Sequence, residues 1–180
     1  MPSPRAEDSD AASLLRRYCT GRDQQAFRRF YSQEAPRLWR FLVARGCPRE
    51  DAYDLVAEAF TRFIAVVCRD PAHPRALLYR IALNARIDLH RRRETAGEAV
   101  EVEAVADALP AAGPDLTDSL AVRRAIGQLY PEEQNLLLMR YWIGLTHAEI
   151  AQVLELPEGT VRRQGAAALH RLRDLFGGGA

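Results

Sequence analysis

The chain has 180 residues, 48% of them hydrophobic, which suits one medium domain or two small ones and excludes wholesale disorder. Its 25 basic residues, all Arg, nearly cancel 24 acidic ones, for a formal charge of +1. The cancellation is uneven: residues 73–93 carry six Arg and one Asp, residues 94–118 seven acids and no Arg, and residues 160–173 four Arg and no acid. Two basic patches flanking an acidic strip exclude an evenly charged globule and suit nucleic-acid contact.

Residues 1–12 are polar and expected to fray. From Ser13 a helical period begins with Leu14, Leu15 and Tyr18. It continues through Phe27, Phe30, Tyr31, Leu38, Phe41 and Leu42 until Gly46-Cys47-Pro48 breaks it. Asp51 to Val67 reads as a strong helix, with Leu55, Val56, Phe60, Phe63, Ile64 and Val67 facing inward. Asp51, Asp54 and Glu58 lie on one of its flanks. Residues 70–74 form a loop, and Arg75 to Arg93 another helix, with Leu77, Leu78, Ile81, Ala82, Ala85 and Leu89 inward.

Residues 94–118 are rich in Ala, Glu, Gly and Pro and read as a flexible acidic linker. Asp118 is placed to cap a helix carrying Leu120, Ile126 and Leu129. Pro131 starts the next, which Gly144 ends. The glycines at the C-terminal end read as a disordered tail. No stretch shows a strand's period of two, so the fold class expected is all-α. Two small helical domains, 13–93 and 119–176, are joined by the acidic linker 94–118.

Cys19, Cys47 and Cys68 are odd in number and widely spaced, and the four His form no ligand-spaced group. Neither a disulfide framework nor a metal site is expected, and no cofactor. The N-terminus lacks the apolar core of a signal peptide, and no apolar run approaches the ~18 residues of a membrane span. A cytoplasmic protein with no membrane insertion is expected.

The stretch from Gly144 to Arg173 carries the clearest function. Thr146 and Glu149 form a capping box that starts a helix, with Ile150, Ala151 and Leu154 on one face. Glu155-Leu156 makes a tight corner, and Pro157 suits the first position of a second helix. Val161, Ala168, Leu169 and Leu172 continue the apolar stripe, while Arg162, Arg163, Arg171 and Arg173 point elsewhere. Two helices so joined describe a helix-turn-helix in the C-terminal domain, whose second helix enters a major groove. Arg162, Arg163 and Gln164 are the base-edge and phosphate donors expected, with Thr160 beside them. The amides near Glu158 and Gly159 suit a phosphate. An ordinary solvated helix face is the plain alternative. Two features work against the motif: Glu155 stands where a left-handed turn favours Gly, and Gly165 sits inside the second helix, each costing about 1 kcal/mol.

This stretch, with Glu149-Ile150-Ala151 and Leu156-Pro157-Glu158-Gly159-Thr160-Val161-Arg162, resembles the promoter-reading domain of bacterial RNA polymerase sigma factors. The group resembled is the extracytoplasmic-function (ECF) group of the sigma-70 family. Asp54-Leu55-Val56-Ala57-Glu58-Ala59-Phe60 resembles that family's polymerase-docking segment. Leu78-Tyr79-Arg80-Ile81-Ala82-Leu83-Asn84, continuing to Arg93, resembles the helix that opens and reads the −10 element. The resemblance covers about residues 24–93 and 119–176. Ala57, where the family usually has Gln, Glu155 for Gly and Gly165 for a large apolar residue depart from the pattern.

The resemblance implies a sigma factor that directs RNA polymerase core to promoter DNA, duplex and melted, and starts transcription. An anti-sigma factor is a possible further partner. Asp51, Asp54, Leu55 and Glu58 would dock on the largest polymerase subunit. Asn84 would read a base of the melted −10 strand, with Asp88 beside it. Arg86, Arg91, Arg92 and Arg93 would hold its backbone, the loop Arg69–Arg75 would take an unstacked base, and Tyr79 would either stack or pack in the core. No catalytic constellation is visible, so no enzyme is expected. A stand-alone helix-turn-helix regulator that ignores polymerase is the rival reading.

Overall fold

Apolar residues at three- and four-residue spacing draw the first half of the chain into four helices in the computed structural model, which describes residues 4–69, 72–97 and 124–177. These are α1 (Pro4–Gly21), α2 (Gln24–Ala44), α3 (Arg49–Val66) and α4 (Pro74–Ala96), with a 3₁₀ turn at Val67–Arg69 after α3. Asp23 caps α2 by accepting from the Gln25 and Ala26 amides, both at 3.0 Å. Leu15, Phe30, Leu38, Phe41, Leu55, Phe63 and Leu78 are buried where the helices meet. Phe30 and Phe63 stack with centroids 5.4 Å apart, and Phe41 meets Tyr79 edge-on at 5.4 Å.

The second half adds a turn of helix at residues 124–127, then α5 (Pro131–Leu137), α6 (His147–Leu154) and α7 (Glu158–Gly177). No strand occurs among the described residues, as the all-α class requires. α5 runs into π-helical turns at Leu138–Ile143 before Gly144 ends them at a φ of 79°, which only Gly adopts without strain. Thr146 and Glu149 close the capping box: the Glu149 amide donates to Thr146 Oγ1 at 3.2 Å, and the Thr146 amide to Glu149 Oε2 at 2.7 Å. Glu155 takes the left-handed conformation with φ 54°.

The two halves share one core. α6 packs on α4, and Leu136, Met139, Ile143, Ile150, Val153 and Val161 belong to the same buried cluster as Phe30 and Phe63. Buried polar ties cross the seam. Arg45 Nη1 donates to Gln134 Oε1 at 2.9 Å, and Arg75 Nη2 donates to the Ile143 carbonyl while its Nε faces Glu34 Oε1 at 3.3 Å.

Several sequence expectations are corrected. Helix α1 starts at Pro4, not Ser13, because Ala11 extends the stripe of Leu14, Leu15 and Tyr18 by one turn and is buried. Pro157 precedes α7 instead of opening it: its carbonyl accepts from the Thr160 amide at 2.9 Å and the Val161 amide at 3.1 Å. Ile64 and Tyr31 are exposed, not inward. The α4 helix runs three residues past Arg93 before Gly97 ends it. The rest of the linker and the Asp118 cap lie outside the described residues, as does the tail after Gly177.

The cysteine expectation is also overturned. Cys19 and Cys68 form a disulfide across a sequence separation of 49, with Cα atoms 5.2 Å apart. Packing α1 against the turn after α3 brings them together, which linear spacing does not reveal. Cys47 is buried outside this bond.

Candidate nucleic-acid interface

The turn at Glu155 sets α7 so that Val161 and Ala168 face the core and the opposite side faces solvent. Glu158, Gly159, Arg162, Arg163 and Gln164 are exposed, and Thr160 is half-buried. Arg162 Nη2 reaches Glu158 Oε1 at 2.7 Å one turn earlier, an exposed pair of small energetic value. In this conformation Arg162 is thus held by its own helix. His147, on α6, is held below its usual range by partial burial and then by the Arg140 and Arg162 guanidiniums, which disfavour a further positive charge on this face.

On α4, Asn84, Asp88, Arg91 and Arg92 are exposed along the outer face. Arg92 Nε turns back to the Asp88 carbonyl at 3.2 Å. Arg86 is half-buried and donates to the Arg45 carbonyl at 2.9 Å. Arg93 holds Asp51 with both terminal nitrogens, Nη2 lying 2.6 Å from Oδ1. A residue expected to grip DNA and one expected to meet polymerase are therefore partners of each other.

Tyr79 is fully buried, its hydroxyl 3.5 Å from Glu34 Oε2, and burial first and then the Glu34 carboxylate push its pKa well above the usual value. Stacking on a DNA base is excluded by this position; packing is its role. Leu55 is likewise 2% exposed and offers no surface to a partner, because α3 turns it into the bundle. Asp54 remains exposed on α3, and half-buried Glu58 pairs with Arg62.

Two hollows were not anticipated. One, of about 540 Å³, is walled by Val66, Arg69, His73 and Arg80 on the α4 side and by Gln152 and Glu155 from the helix-turn-helix. The other, of about 530 Å³, lies between α2 and α3 and is lined by Tyr31, Pro36, Trp39, Tyr53 and Val56. Tyr53, 65% exposed, stands next to Asp54. Aromatic residues off the buried stripe of α2 and α3 were the available signal for the second hollow; the first needs the packing of the two halves.

The model of sigma-70 region 2 matches residues 30–95, and that of sigma-70 region 4 matches residues 125–174. The ECF RNA polymerase sigma factor RpoE of Cereibacter sphaeroides is 30% identical over 184 residues, covering 94% of this chain and 96% of that protein. The ECF sigma factor SigL of Mycobacterium tuberculosis is 30% identical over 152 residues, with 81% and 86% covered. This chain belongs to the sigma-70 family, ECF group. As a sigma factor it directs RNA polymerase core to promoters and initiates DNA-templated transcription.

The sigma factor's fold is also that of CnrH, solved in complex with the cytosolic domain of CnrY (TM-score 0.66, 23% identity, 95% of this chain and 99% of that one). A second likeness is the sigma factor RpoE of Bartonella quintana, solved with the anti-sigma factor NepR (TM-score 0.66, 19% identity, 86% and 98% covered). The three family departures acquire places. Ala57 is exposed on α3. Glu155 forms the left-handed turn and lines the cleft beside α4. A Cβ added at Gly165 meets nothing within 4 Å, beside a small hollow lined by Leu137, Val161 and Leu169.

Proposed function

We propose that this sigma factor reads its promoter with two separate surfaces. Exposed Arg162, Arg163 and Gln164, with the N-terminal amides of α7, contact the −35 duplex. Exposed Asn84, with Arg91 and Arg92, holds the melted −10 strand, and Asp88 stands beside them. Arg86 and Arg93 support α4 from behind through Arg45 and Asp51 instead of gripping phosphates. Docking on polymerase uses Asp54, Glu58 and the aromatic groove around Tyr53, with Asp51 engaged by Arg93.

The observation that carries this reading is the exposure of both polar rows on helices whose opposite faces are buried in the shared core. It also implies motion. Elements centred at −10 and −35 lie ~85 Å apart at about 34–36 Å per helical turn of DNA. Packed helix axes lie about 8–10 Å apart, so α4 and α7 cannot span that distance while α6 rests on α4. The two halves separate on the promoter. The segment between them, residues 98–123, could reach roughly 86–94 Å if fully extended, enough for the span.

The role is binding, not catalysis, and its place is the cytoplasm with the polymerase. No helix among the described residues is long and apolar enough to cross a membrane. An anti-sigma factor, such as the NepR solved with the Bartonella quintana sigma factor, would be a further partner that holds the chain inactive. Assembly of the purified chain with core polymerase, followed by run-off transcription on genomic promoters, tests the proposal. Specific transcripts absent from core alone are expected. Duplex binding without polymerase association would favour a stand-alone regulator.

A further inference from the structure

The Cys19–Cys68 bond lies at a mechanically sensitive point. Cys19 belongs to the last turn of α1 and is half-buried; Cys68 belongs to the 3₁₀ turn after α3 and is exposed. The third cysteine, Cys47, is 4% exposed within the core and takes no part. Cys68 is followed at once by Arg69, which forms one wall of the cleft beside α4; His73 and Arg80 form the continuation of that wall. The bond therefore ties the approach to the α3–α4 loop back onto α1. α1 in turn is anchored by buried Ala11, Leu14 and Leu15, and by Tyr18 against Phe27 at 5.0 Å. Without the bond, the exposed 3₁₀ turn keeps only Val67 in the core on its own account.

A surface disulfide in a protein that works among reducing cytoplasmic thiols persists only while an oxidant maintains it, and an exposed one is the kind that is switched. We propose that Cys19 and Cys68 are a redox-sensitive staple that sets how firmly the cleft wall at Arg69 is held, and through it the capture of the melted strand. The consequence for the strand rests on the reading of α4 as the −10 surface and on the expectation that an unstacked base enters between Arg69 and Arg75; the staple itself does not. Oxidation joins the two sulfurs, and their two electrons and two protons pass to hydrogen peroxide, which leaves as two waters. Reversal takes two electrons and two protons from a dithiol, which becomes a disulfide while both S–H bonds re-form. In the disulfide state the wall is preorganised, so less ordering remains to be done when a base enters. In the dithiol state the turn and the wall at Arg69 loosen, and capture weakens.

The test uses the full chain, alone and with core polymerase. Amide exchange over residues 66–77 is compared after peroxide and after dithiothreitol, for the wild type, Cys68→Ser and Cys19→Ser. The reduced wild type is expected to exchange roughly tenfold faster there than the oxidised form, as local opening becomes easier. Both variants should match the reduced form under either treatment. A bond that resists dithiothreitol in the native chain, or equal exchange in both states, overturns the staple. The holoenzyme is then titrated with a fluorescein-labelled random-sequence single strand. Several-fold tighter binding by the oxidised wild type, absent in Cys68→Ser, is the expected result; equal binding in both states overturns the link to strand capture. A holoenzyme that holds no single strand in either state strikes the −10 assignment, while the exchange data still judge the staple.

Discussion

Glu34 shows how much one buried residue holds. It is 2% exposed, faces Arg75, which is fully buried, pairs with Arg37 at 3.1 Å, and receives the Tyr79 hydroxyl. Glu34→Ala leaves the buried Arg75 cation without this carboxylate, keeping its bond to the Ile143 carbonyl, and is expected to cost about 3–5 kcal/mol, read as a lower midpoint in urea. A midpoint unchanged within error would show that the pair contributes nothing. His147 gives a pH signature. Its folded pKa lies below the ordinary value of 6.5, so below that pH the unfolded chain binds more protons than the folded one. Stability should therefore fall as pH drops through the histidine range, and His147→Gln should flatten that slope. An unchanged slope in the variant would assign it to other groups. Tyr79 marks the limit of reading residues one at a time. It falls on the buried stripe of α4, yet its aromatic ring and its place in the −10 helix suited stacking equally well, and only the three-dimensional position of Glu34 decides between them.

At the scale of elements, the periodic helices were legible because each buries one continuous face. Phe30, Leu38, Phe41 and Leu42 on α2 show this, and so do Leu55, Phe60 and Phe63 on α3. The capping box at Thr146 and the strained turn at Glu155 were legible because both are local rules. The π-helical turns at Leu138–Ile143 and the Cys19–Cys68 bond were not, since neither has a signature in linear spacing. α7 carries a correctable weakness. Gly165 lies inside it with open space where a Cβ would point, so Gly165→Ala should raise stability by about 1 kcal/mol in thermal unfolding. Destabilisation would mean that the hollow beside it is needed empty. α3 carries the docking prediction. Asp54→Arg with Glu58→Arg should abolish association with core polymerase while leaving helical circular dichroism unchanged, because exposed Asp54 and the surface Glu58–Arg62 pair contribute only about 0–1 kcal/mol to the fold. Undiminished affinity would remove this flank from the docking surface.

For the whole molecule, the proposed separation of the halves has to break the seam between them. Arg45 is pushed down to about 10 by burial and then by Arg86, and Gln134 of the other half accepts a hydrogen bond from its Nη1. Gln134→Ala leaves this cation short of a partner when closed but not when open, so it should weaken closure by about 1–3 kcal/mol and speed polymerase association in stopped flow. The division of labour between α4 and α7 is tested most directly by following promoter binding and permanganate reactivity side by side for holoenzymes carrying Arg162→Ala or Asn84→Ala. Arg162→Ala is expected to weaken the closed complex by about 1–3 kcal/mol if a base contact is lost, or to lower the salt slope by about 1 if only a phosphate contact is lost. Asn84→Ala is expected to bind duplex nearly normally and to lose thymine reactivity in the −10 region, without rescue by a pre-melted promoter. Equal loss of duplex binding in both variants, with normal opening once bound, would contradict the two-surface account.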